Sequence, residues 1–202
     1  MIRKIIVAVC GASGSIYGLR LLRALVQKPL DISLIISGAG RQVLTHETDY
    51  PGGPMMDYLI KTGVVPHENA VLKNYAPTDL FAPPASGSFR HDGMVVAPCS
   101  MRTLANISSG IAENLIHRAA DVCLKENRPL ILLPREMPFS RIHLDNLQRA
   151  SAAGAVIIPP SPSFYFHPRT IDDLVDTVVA RVLDHLHVEH HLIGQWGVAS
   201  DA

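Results

Sequence analysis

Short apolar runs alternate along the chain with longer segments in which apolar residues recur at helical spacing. The runs predict strands near residues 4–9, 32–37, 70–75, 93–97, 130–134 and 154–158. The helical spacing predicts helices near residues 14–27, 38–49, 54–62, 101–109, 113–127, 140–153 and 170–187. Runs such as 94–97 and 130–133 are apolar throughout, which is typical of strands covered on both faces. The alternation predicts an α/β fold, with a Rossmann-like, doubly wound, mostly parallel sheet in a three-layer αβα arrangement.

Length and charge narrow the range of functions. The chain has 202 residues, and 48% of them are hydrophobic, which fits one domain over residues 1–202 with a C-terminal tail at 190–202. Its 18 basic residues balance its 18 acidic residues, so nothing indicates a nucleic-acid-binding stripe or a polybasic membrane anchor. We expect small molecules and other copies of the chain as partners.

The cysteines and the amino terminus bear on the compartment. No apolar run reaches the roughly 18 residues of a membrane span, and the chain begins with a strand rather than a signal peptide. Cys10, Cys99 and Cys123 are odd in number and lack metal-ligand spacing, which favours a reducing compartment. We therefore expect a cytoplasmic protein in which Cys10 and Cys99 are small buried hydrophobic residues.

The first strand runs directly into a glycine-rich turn, Gly11-Ala12-Ser13-Gly14, and a helix follows. Such a turn presents backbone N–H groups and the positive end of a helix dipole to one point, which suits a phosphate. The glycine spacing is not that of a dinucleotide site, and the second strand ends at Ser37 rather than at an acidic residue. This favours a mononucleotide such as FMN, although a glycine after a strand is also ordinary turn chemistry.

Polar residues follow several of the predicted strands. Ligands of such sheets bind beyond the carboxyl ends of the strands, where the strand order reverses. The fourth strand leads into Pro98-Cys99-Ser100-Met101-Arg102-Thr103, and the fifth into Pro134-Arg135-Glu136. Residues 82–89 are too rich in Pro, Gly and Ser for a helix, so this segment is either a surface connector or a lid.

Six short motifs, taken together, resemble the flavin prenyltransferase family of the UbiX type over about residues 5–186. They are Gly11-Ala12-Ser13-Gly14, Ala85-Ser86-Gly87-Ser88, Ala97-Pro98-Cys99-Ser100, Arg118-Ala119-Ala120-Asp121, Pro134-Arg135-Glu136 and Gly154-Ala155-Val156-Ile157. The resemblance implies a flavodoxin-like fold and a metal-independent enzyme that makes prenylated FMN from reduced FMN and dimethylallyl monophosphate. It also implies a dodecamer with sites between subunits, and a product used by a UbiD-type decarboxylase.

The resemblance also implies roles for individual residues. The FMN-binding residues would be Gly11, Ala12, Ser13, Ser37, Ser100, Met101, Arg102, Thr103 and Arg135. Tyr165 and Arg181 would bind the prenyl phosphate, with Lys125 and Arg118 as further cations. Glu136 would be the general acid/base, with Glu47 a second one, and Ser13 would help to stabilise the charge that develops on the phosphate.

Several of these residues have plainer interpretations. Glu136 could be the polar end of a strand, and Tyr165 could pack among its aromatic neighbours. Arg118 and Lys125 are seven residues apart on one helix face, which in most proteins is a solvated face. Leu80-Phe81 departs from the aromatic that many relatives carry there, so the shape of the isoprenoid pocket is open.

A group of histidines near the carboxyl end resembles a metal cluster at first sight. His187 and His191 have i,i+4 spacing, and His185, His190 and Glu189 lie beside them. They follow an amphipathic helix, so we expect them at the surface or in a subunit contact and predict no metal site.

Two other functions compete with prenyl transfer. A flavin-dependent cysteine decarboxylase would share the fold, but such enzymes use a Pro-Ala-Ser-Ala-Asn-Thr loop and a histidine on the first helix. This chain has the segment 84–88 and Tyr17 at those places. A non-catalytic FMN carrier would need the phosphate-binding turn without the second, cationic site.

Overall fold

A computed structural model describes residues 3–194 as a six-stranded parallel sheet with helices on both faces. The strands are β1 Arg3–Val9, β2 Leu30–Ile36, β3 Val71–Tyr75, β4 Gly93–Cys99, β5 Leu130–Pro134 and β6 Val156–Ile157. The helices are α1 Ser15–Leu25, α2 Gly38–Glu47, α3 Met55–Lys61, α4 Met101–Ser108, α5 Leu115–Lys125, α6 Arg141–Ala152 and α7 Ile171–His185. The predicted fold class is confirmed. The segment near residue 84 contains one turn of 3₁₀ helix, Pro83–Ala85, so the expectation that it holds no helix is wrong.

The sheet separates two apolar cores, because successive residues of a strand point to opposite faces. Ile5, Val7 and Val9 contact the core beneath α1, α2, α3 and α7. Ile6 and Ala8 contact the core beneath α4, α5 and α6. Helices therefore cover β1 on both faces, which explains why the strand is apolar throughout.

The strand order, β3-β2-β1-β4-β5-β6, reverses between β1 and β4. From β1 the chain proceeds outward to β2 and β3, and it then returns to place β4 on the other side of β1. The helices α1 and α4, which follow these two strands, consequently lie on opposite faces of the sheet. In sheets of this kind such a separation opens a crevice at the carboxyl ends of the two strands, here β1 and β4, which is the usual ligand position.

Two glycines allow elements at this edge to approach closely. A Cβ atom on Gly11 would lie 2.5 Å from the Cβ of Ala39, at the start of α2. A Cβ atom on Gly18 would lie 2.4 Å from the carbonyl oxygen of Ala97 in β4. A larger residue at Gly11 would push the turn away from the start of α2, and one at Gly18 would push α1 away from β4.

An ion pair joins α1 to α7. Arg20 donates from Nε and Nη2 to the two carboxylate oxygens of Asp176, over 2.5 and 2.7 Å. Asp176 is 8% exposed, so its charge depends on this bidentate partner. The pair fixes α7 relative to the helix that follows the glycine-rich turn.

None of the helices within residues 3–194 is long and apolar enough to cross a membrane.

We predict that Arg20→Leu lowers the free energy of unfolding by about 3 kcal/mol, because it leaves the Asp176 carboxylate buried without its partner. Arg41→Leu, on the exposed side of α2, is the matched control and should change stability by less than about 0.5 kcal/mol. Urea unfolding at a fixed protein concentration measures both. Equal stability of the two variants would contradict a stabilising role for the pair.

Candidate active site

The amino termini of α2 and α4 open onto the carboxyl edge of the sheet, each with a serine cap. Ser37 Oγ accepts a hydrogen bond from Gly40 N over 2.9 Å. Ser100 Oγ accepts from Thr103 N over 3.3 Å and donates to Thr103 Oγ1 over 3.1 Å. Each cap satisfies only part of the first helical turn, whose other N–H groups have no partner within the helix. Both termini therefore offer amide donors and a positive dipole end to an anion or a polyol.

The amino terminus of α1 is different, because a side chain already binds there. Glu47, the last residue of α2, accepts hydrogen bonds from Gly14 N and Ser15 N, both at 2.9 Å. The expectation that the N–H groups of this turn are free for a phosphate is therefore wrong for Gly14 and Ser15. Gly14 itself has φ of 103°, a left-handed conformation that favours glycine.

Glu47 is ionised in this position. Burial opposes its ionisation, but hydrogen bonds from the Ser13 hydroxyl and from the N–H groups of Ser15 and Gly14 outweigh burial and lower its pKa. A carboxylate with a lowered pKa can accept a proton but rarely carries one at neutral pH. The contacts of Glu47 give it a structural task at the Ser13 turn, and its acid/base role stays a prediction.

Buried thiols lie beneath the crevice. Thr103 Oγ1 donates to Cys10 Sγ over 3.3 Å, and both Cys10 and Cys99 are buried. Burial raises the pKa of Cys10 to about 11, and the hydrogen bond from Thr103 only partly offsets this. The thiols stay protonated and act as small hydrophobic groups, as predicted. Thr103 is 7% exposed and uses both its N–H and its hydroxyl within the protein, so its contacts orient Ser100.

The segment after β5 adds charged groups to the same edge. The backbone N of Arg135 donates to the carbonyl of Cys99 over 3.1 Å, which fixes this segment against the end of β4. Within residues 3–194 the exposed guanidinium of Arg135 has no ion pair. Glu136 is exposed, and its Oε1 accepts from Met137 N over 3.0 Å. Two further residues that were predicted to bind FMN lie at the start of α4. Met101 is half-buried, whereas Arg102 is exposed, with its Nη2 3.6 Å from Glu113 Oε2.

A cavity of about 1080 Å³ lies between the segment after β6, α7 and the residues that follow α7. Tyr165 and Arg181, both predicted to bind the prenyl phosphate, line it. The N–H of Ser163 donates to Thr177 Oγ1 over 3.0 Å, which ties the Tyr165 segment to α7. The residues predicted to bind FMN are absent from the lining, so this cavity and the crevice at β1 and β4 are separate features of one chain.

The other two predicted cations lie on α5, on the opposite face of the sheet. Arg118 donates to the carbonyl of Ala85 over 3.0 Å and pairs with Asp121 at 2.6 Å. Lys125 lies 3.2 Å from Glu126 Oε1 and faces the same loop, because a Cβ on Gly87 would lie 3.2 Å from its Nζ. One chain therefore brings Arg118 together with Lys125, and Tyr165 together with Arg181, but it does not bring the two pairs together.

The segment 82–89 is fixed to α5 in this structure. Besides the contact from Arg118, Arg128 donates to the carbonyls of Phe89 and Gly87, each over 2.7 Å. Phe81, just before it, is fully exposed, so this side chain lies at the surface of a single subunit.

Two residues of the cavity, Thr177 and Asp184, were not singled out in the sequence. A third, His190, was expected at the surface or in a subunit contact, and its side chain is 12% exposed in one chain. Asp184 lies three residues after Arg181 on one helix, a spacing that signals an ion pair, and the two side chains are 2.7 Å apart. Nothing in the sequence indicated that Thr177 contacts Ser163. His190 contacts Asp184 at 3.0 Å, and among the described residues no group of three or more His, Cys, Asp or Glu is arranged to hold a metal ion.

Comparison with known proteins gives consistent matches. Residues 1–183 match the family model described as Flavoprotein. The chain is 45% identical over 196 residues to the flavin prenyltransferase UbiX of Pseudomonas aeruginosa, covering 96% of this chain and 94% of that protein. It is also similar to two solved structures. One is the dodecameric FMN-dependent UbiX-like decarboxylase of Escherichia coli O157:H7, at 44% identity and a TM-score of 0.85, covering 96% of this chain and 100% of that one. The other is AnUbiX in complex with FMN and dimethylallyl pyrophosphate, at 40% identity and a TM-score of 0.86, covering 99% and 100%.

We predict that Glu47→Gln lowers the melting temperature at neutral pH and that the difference shrinks in acid. The pKa of Glu47 is lowered from its ordinary value of 4.5, so its stabilising effect is present above that value and is lost as pH falls through the folded-state pKa. Thermal unfolding followed by circular dichroism between about pH 3 and pH 8 measures the difference. Exposed Glu68→Gln is the control, and a melting difference for Glu47→Gln that does not vary with pH would contradict the prediction.

Proposed function

The chain belongs to the UbiX family of flavin prenyltransferases, and from this membership we propose how its own residues carry out the reaction. The enzyme joins the dimethylallyl group of dimethylallyl monophosphate to N5 and C6 of reduced FMN. The observation that carries the assignment of the site is the carboxyl edge of the sheet, where α2 and α4 begin at serine caps and the backbone N of Arg135 donates to Cys99 at the end of β4.

The donors at this edge fit FMN. Ser37 and Ser100 start helices whose remaining first-turn amides suit a phosphate, and the hydroxyl of Ser13 suits the polyol chain. Gly11 lets the turn lie directly against the start of α2. Arg135 supplies a full positive charge without a competing ion pair among residues 3–194. Reduced FMN, once bound, supplies the nucleophilic N5 and C6 atoms.

The cavity residues serve the second substrate. Dimethylallyl monophosphate must lose inorganic phosphate as its allylic C–O bond breaks, and negative charge accumulates on the departing group. The guanidinium of Arg181 and the hydroxyl of Tyr165 can donate hydrogen bonds to that group and stabilise the charge. The apolar lining residues Ile158, Val178 and Val188 suit the five-carbon chain.

The second bond joins C6 of the flavin to the double bond of the allyl group, so that double bond must gain a proton and C6 must lose one. Glu136 lies directly after β5, next to Arg135, with its carboxylate exposed at the edge of the sheet. Among residues 3–194 its Oε1 accepts only a local backbone hydrogen bond, so the carboxylate is available to exchange a proton with the substrate. We assign Glu136 as the general acid/base that moves these protons, and Glu47 as the residue that fixes Ser13.

The complete site needs more than one copy of the chain. Arg181 and Tyr165 lie on the α7 side of the sheet, whereas Arg118 and Lys125 lie on the α5 side. If all four bind one phosphate, α5 of one subunit must meet α7 of another. The dodecameric relative from Escherichia coli supports an assembly in which such contacts occur.

We further expect the product to pass to a UbiD-type decarboxylase, the class of enzyme that uses prenylated FMN. We expect the enzyme to act in the cytoplasm, because Cys10, Cys99 and Cys123 are free thiols, as is usual in a reducing compartment.

Arg181→Ala should retain FMN binding and lose prenyl transfer, with kcat/KM reduced about 100-fold or more. Fluorescence titration with FMN and chromatography of the flavin product measure the two effects. Arg149→Ala, on an exposed position of α6, is the control. Unchanged product formation by Arg181→Ala would remove Arg181 from the site, and equal loss of FMN binding would place it in the flavin pocket instead.

Co-assembly of two inactive variants tests whether the site lies between subunits. If Arg181 and Lys125 come from different chains, mixed assemblies of Arg181→Ala and Lys125→Ala subunits regain activity, at about a quarter of wild-type sites for random mixing. If both side chains come from the same chain, every site lacks one of them and no activity returns. Differently tagged subunits, co-expressed and purified through both tags, provide the mixed assembly.

A further inference from the structure

Asp184, near the end of α7, uses both of its carboxylate oxygens. Arg181 Nη1 donates to Oδ2 over 2.7 Å. His190, from the segment that follows the helix, lies with Nε2 3.0 Å from Oδ1. All three residues line the same cavity as Tyr165. The carboxylate thus connects the phosphate-binding cation to a residue from a different segment.

The second hydrogen bond of the imidazole indicates its tautomer. Leu192 N donates to His190 Nδ1 over 3.4 Å, so Nδ1 presents a lone pair and carries no proton. In a neutral imidazole the proton is then on Nε2, which donates it to Asp184. The side chain of His190 is 12% exposed, so it is a fixed donor and not a mobile surface group.

We propose that Asp184 and His190 are positioning residues that hold the Arg181 guanidinium in the cavity for the phosphate of the allylic substrate. This inference rests on the proposed function of Arg181. The side chain of Arg181 is 61% exposed, and a long exposed side chain loses considerable rotamer freedom when it binds an anion. Asp184 accepts one hydrogen bond from Nη1 and so restricts the rotamers of Arg181 before the anion binds. The other N–H donors of the guanidinium are left for a phosphate.

An isolated i,i+3 ion pair on an exposed helix would hardly restrict the arginine side chain, because its two side chains remain free to separate. Here His190 adds a third contact that fixes the carboxylate itself. The Arg181 guanidinium is therefore bound by a carboxylate whose own rotation is restricted by His190. This arrangement distinguishes Asp184 from Asp121, which pairs with Arg118 at the same spacing on α5.

The charge of Asp184 and its positioning role predict opposite effects of Asp184→Asn on the affinity for the allylic phosphate. The carboxylate is an anion beside an anion-binding site, so electrostatics alone predicts that Asp184→Asn tightens phosphate binding. Positioning predicts weaker binding, because the guanidinium is no longer held. We expect Asp184→Asn to raise the Kd for dimethylallyl monophosphate about fivefold, measured by calorimetry on the protein loaded with oxidised FMN, with the Kd for FMN unchanged.

A double-mutant cycle tests whether Asp184 acts through Arg181. Asp184→Asn should lower kcat/KM in the wild-type enzyme and should have no further effect in the Arg181→Ala enzyme. An equal loss in both backgrounds would show that Asp184 acts independently of Arg181 and would overturn the proposal. An unchanged or lower Kd for the allylic phosphate in Asp184→Asn would overturn it as well.

Variants of His190 separate hydrogen bonding from packing. His190→Gln can present an N–H near the position of Nε2 and should bind the substrate like the wild type, whereas His190→Leu should resemble Asp184→Asn. His191→Leu, at a neighbouring exposed position, is the control. Equal behaviour of the Gln and Leu variants would contradict the role of the Nε2 donor.

Failure of this inference is distinguishable from failure of the proposed function. If the wild type forms no prenylated flavin, the proposed function fails, but the Kd comparison still tests Asp184, since it requires binding alone. If the wild type forms the product and Asp184→Asn binds the allylic phosphate equally well, only the positioning role fails.

Discussion

The close approach of helix termini to the carboxyl edge of the sheet is the constraint on which the rest of this structure depends. The helices α1, α2 and α4 all start at this edge because the parallel strands before them end there. The reversal of strand order between β1 and β4 places α1 and α4 on opposite faces of the sheet. The absence of a side chain on Gly11 and Gly18 permits contacts that a Cβ atom would block at 2.5 and 2.4 Å. Serine caps on two of these helices then satisfy part of each first turn and leave the other amides for a ligand.

The two sites of the proposed function are separate on one chain and differ in their donors. The proposed FMN site uses helix amides, hydroxyls and Arg135, which suit a ligand that must be oriented through many weak contacts. The proposed site for the allylic phosphate uses Arg181 and Tyr165, whose donors would stabilise the charge on the leaving phosphate. The Arg20–Asp176 pair connects the two, because it fixes the helix that carries Arg181 to the helix that follows the Ser13 turn.

Local sequence patterns predicted the features that local interactions create. Apolar runs predicted strands covered on both faces, and helical spacing predicted helices that begin near residues 38 and 101. Contacts between distant residues could not be predicted in this way: Glu47 binds the N–H groups of a turn 33 residues before it. The contact of Ser163 with Thr177 likewise depends on how a loop folds back onto α7. Arg181 and Asp184 are the exception, because their helical spacing indicates a pair once α7 is assigned.

Mass spectrometry of the flavin, after anaerobic incubation of the protein with reduced FMN and dimethylallyl monophosphate, tests the central claim most directly. The predicted result is a flavin that has gained one five-carbon prenyl unit, with release of inorganic phosphate. Recovery of unmodified FMN that was bound throughout the incubation would contradict prenyl transfer and would favour a protein that only carries the flavin.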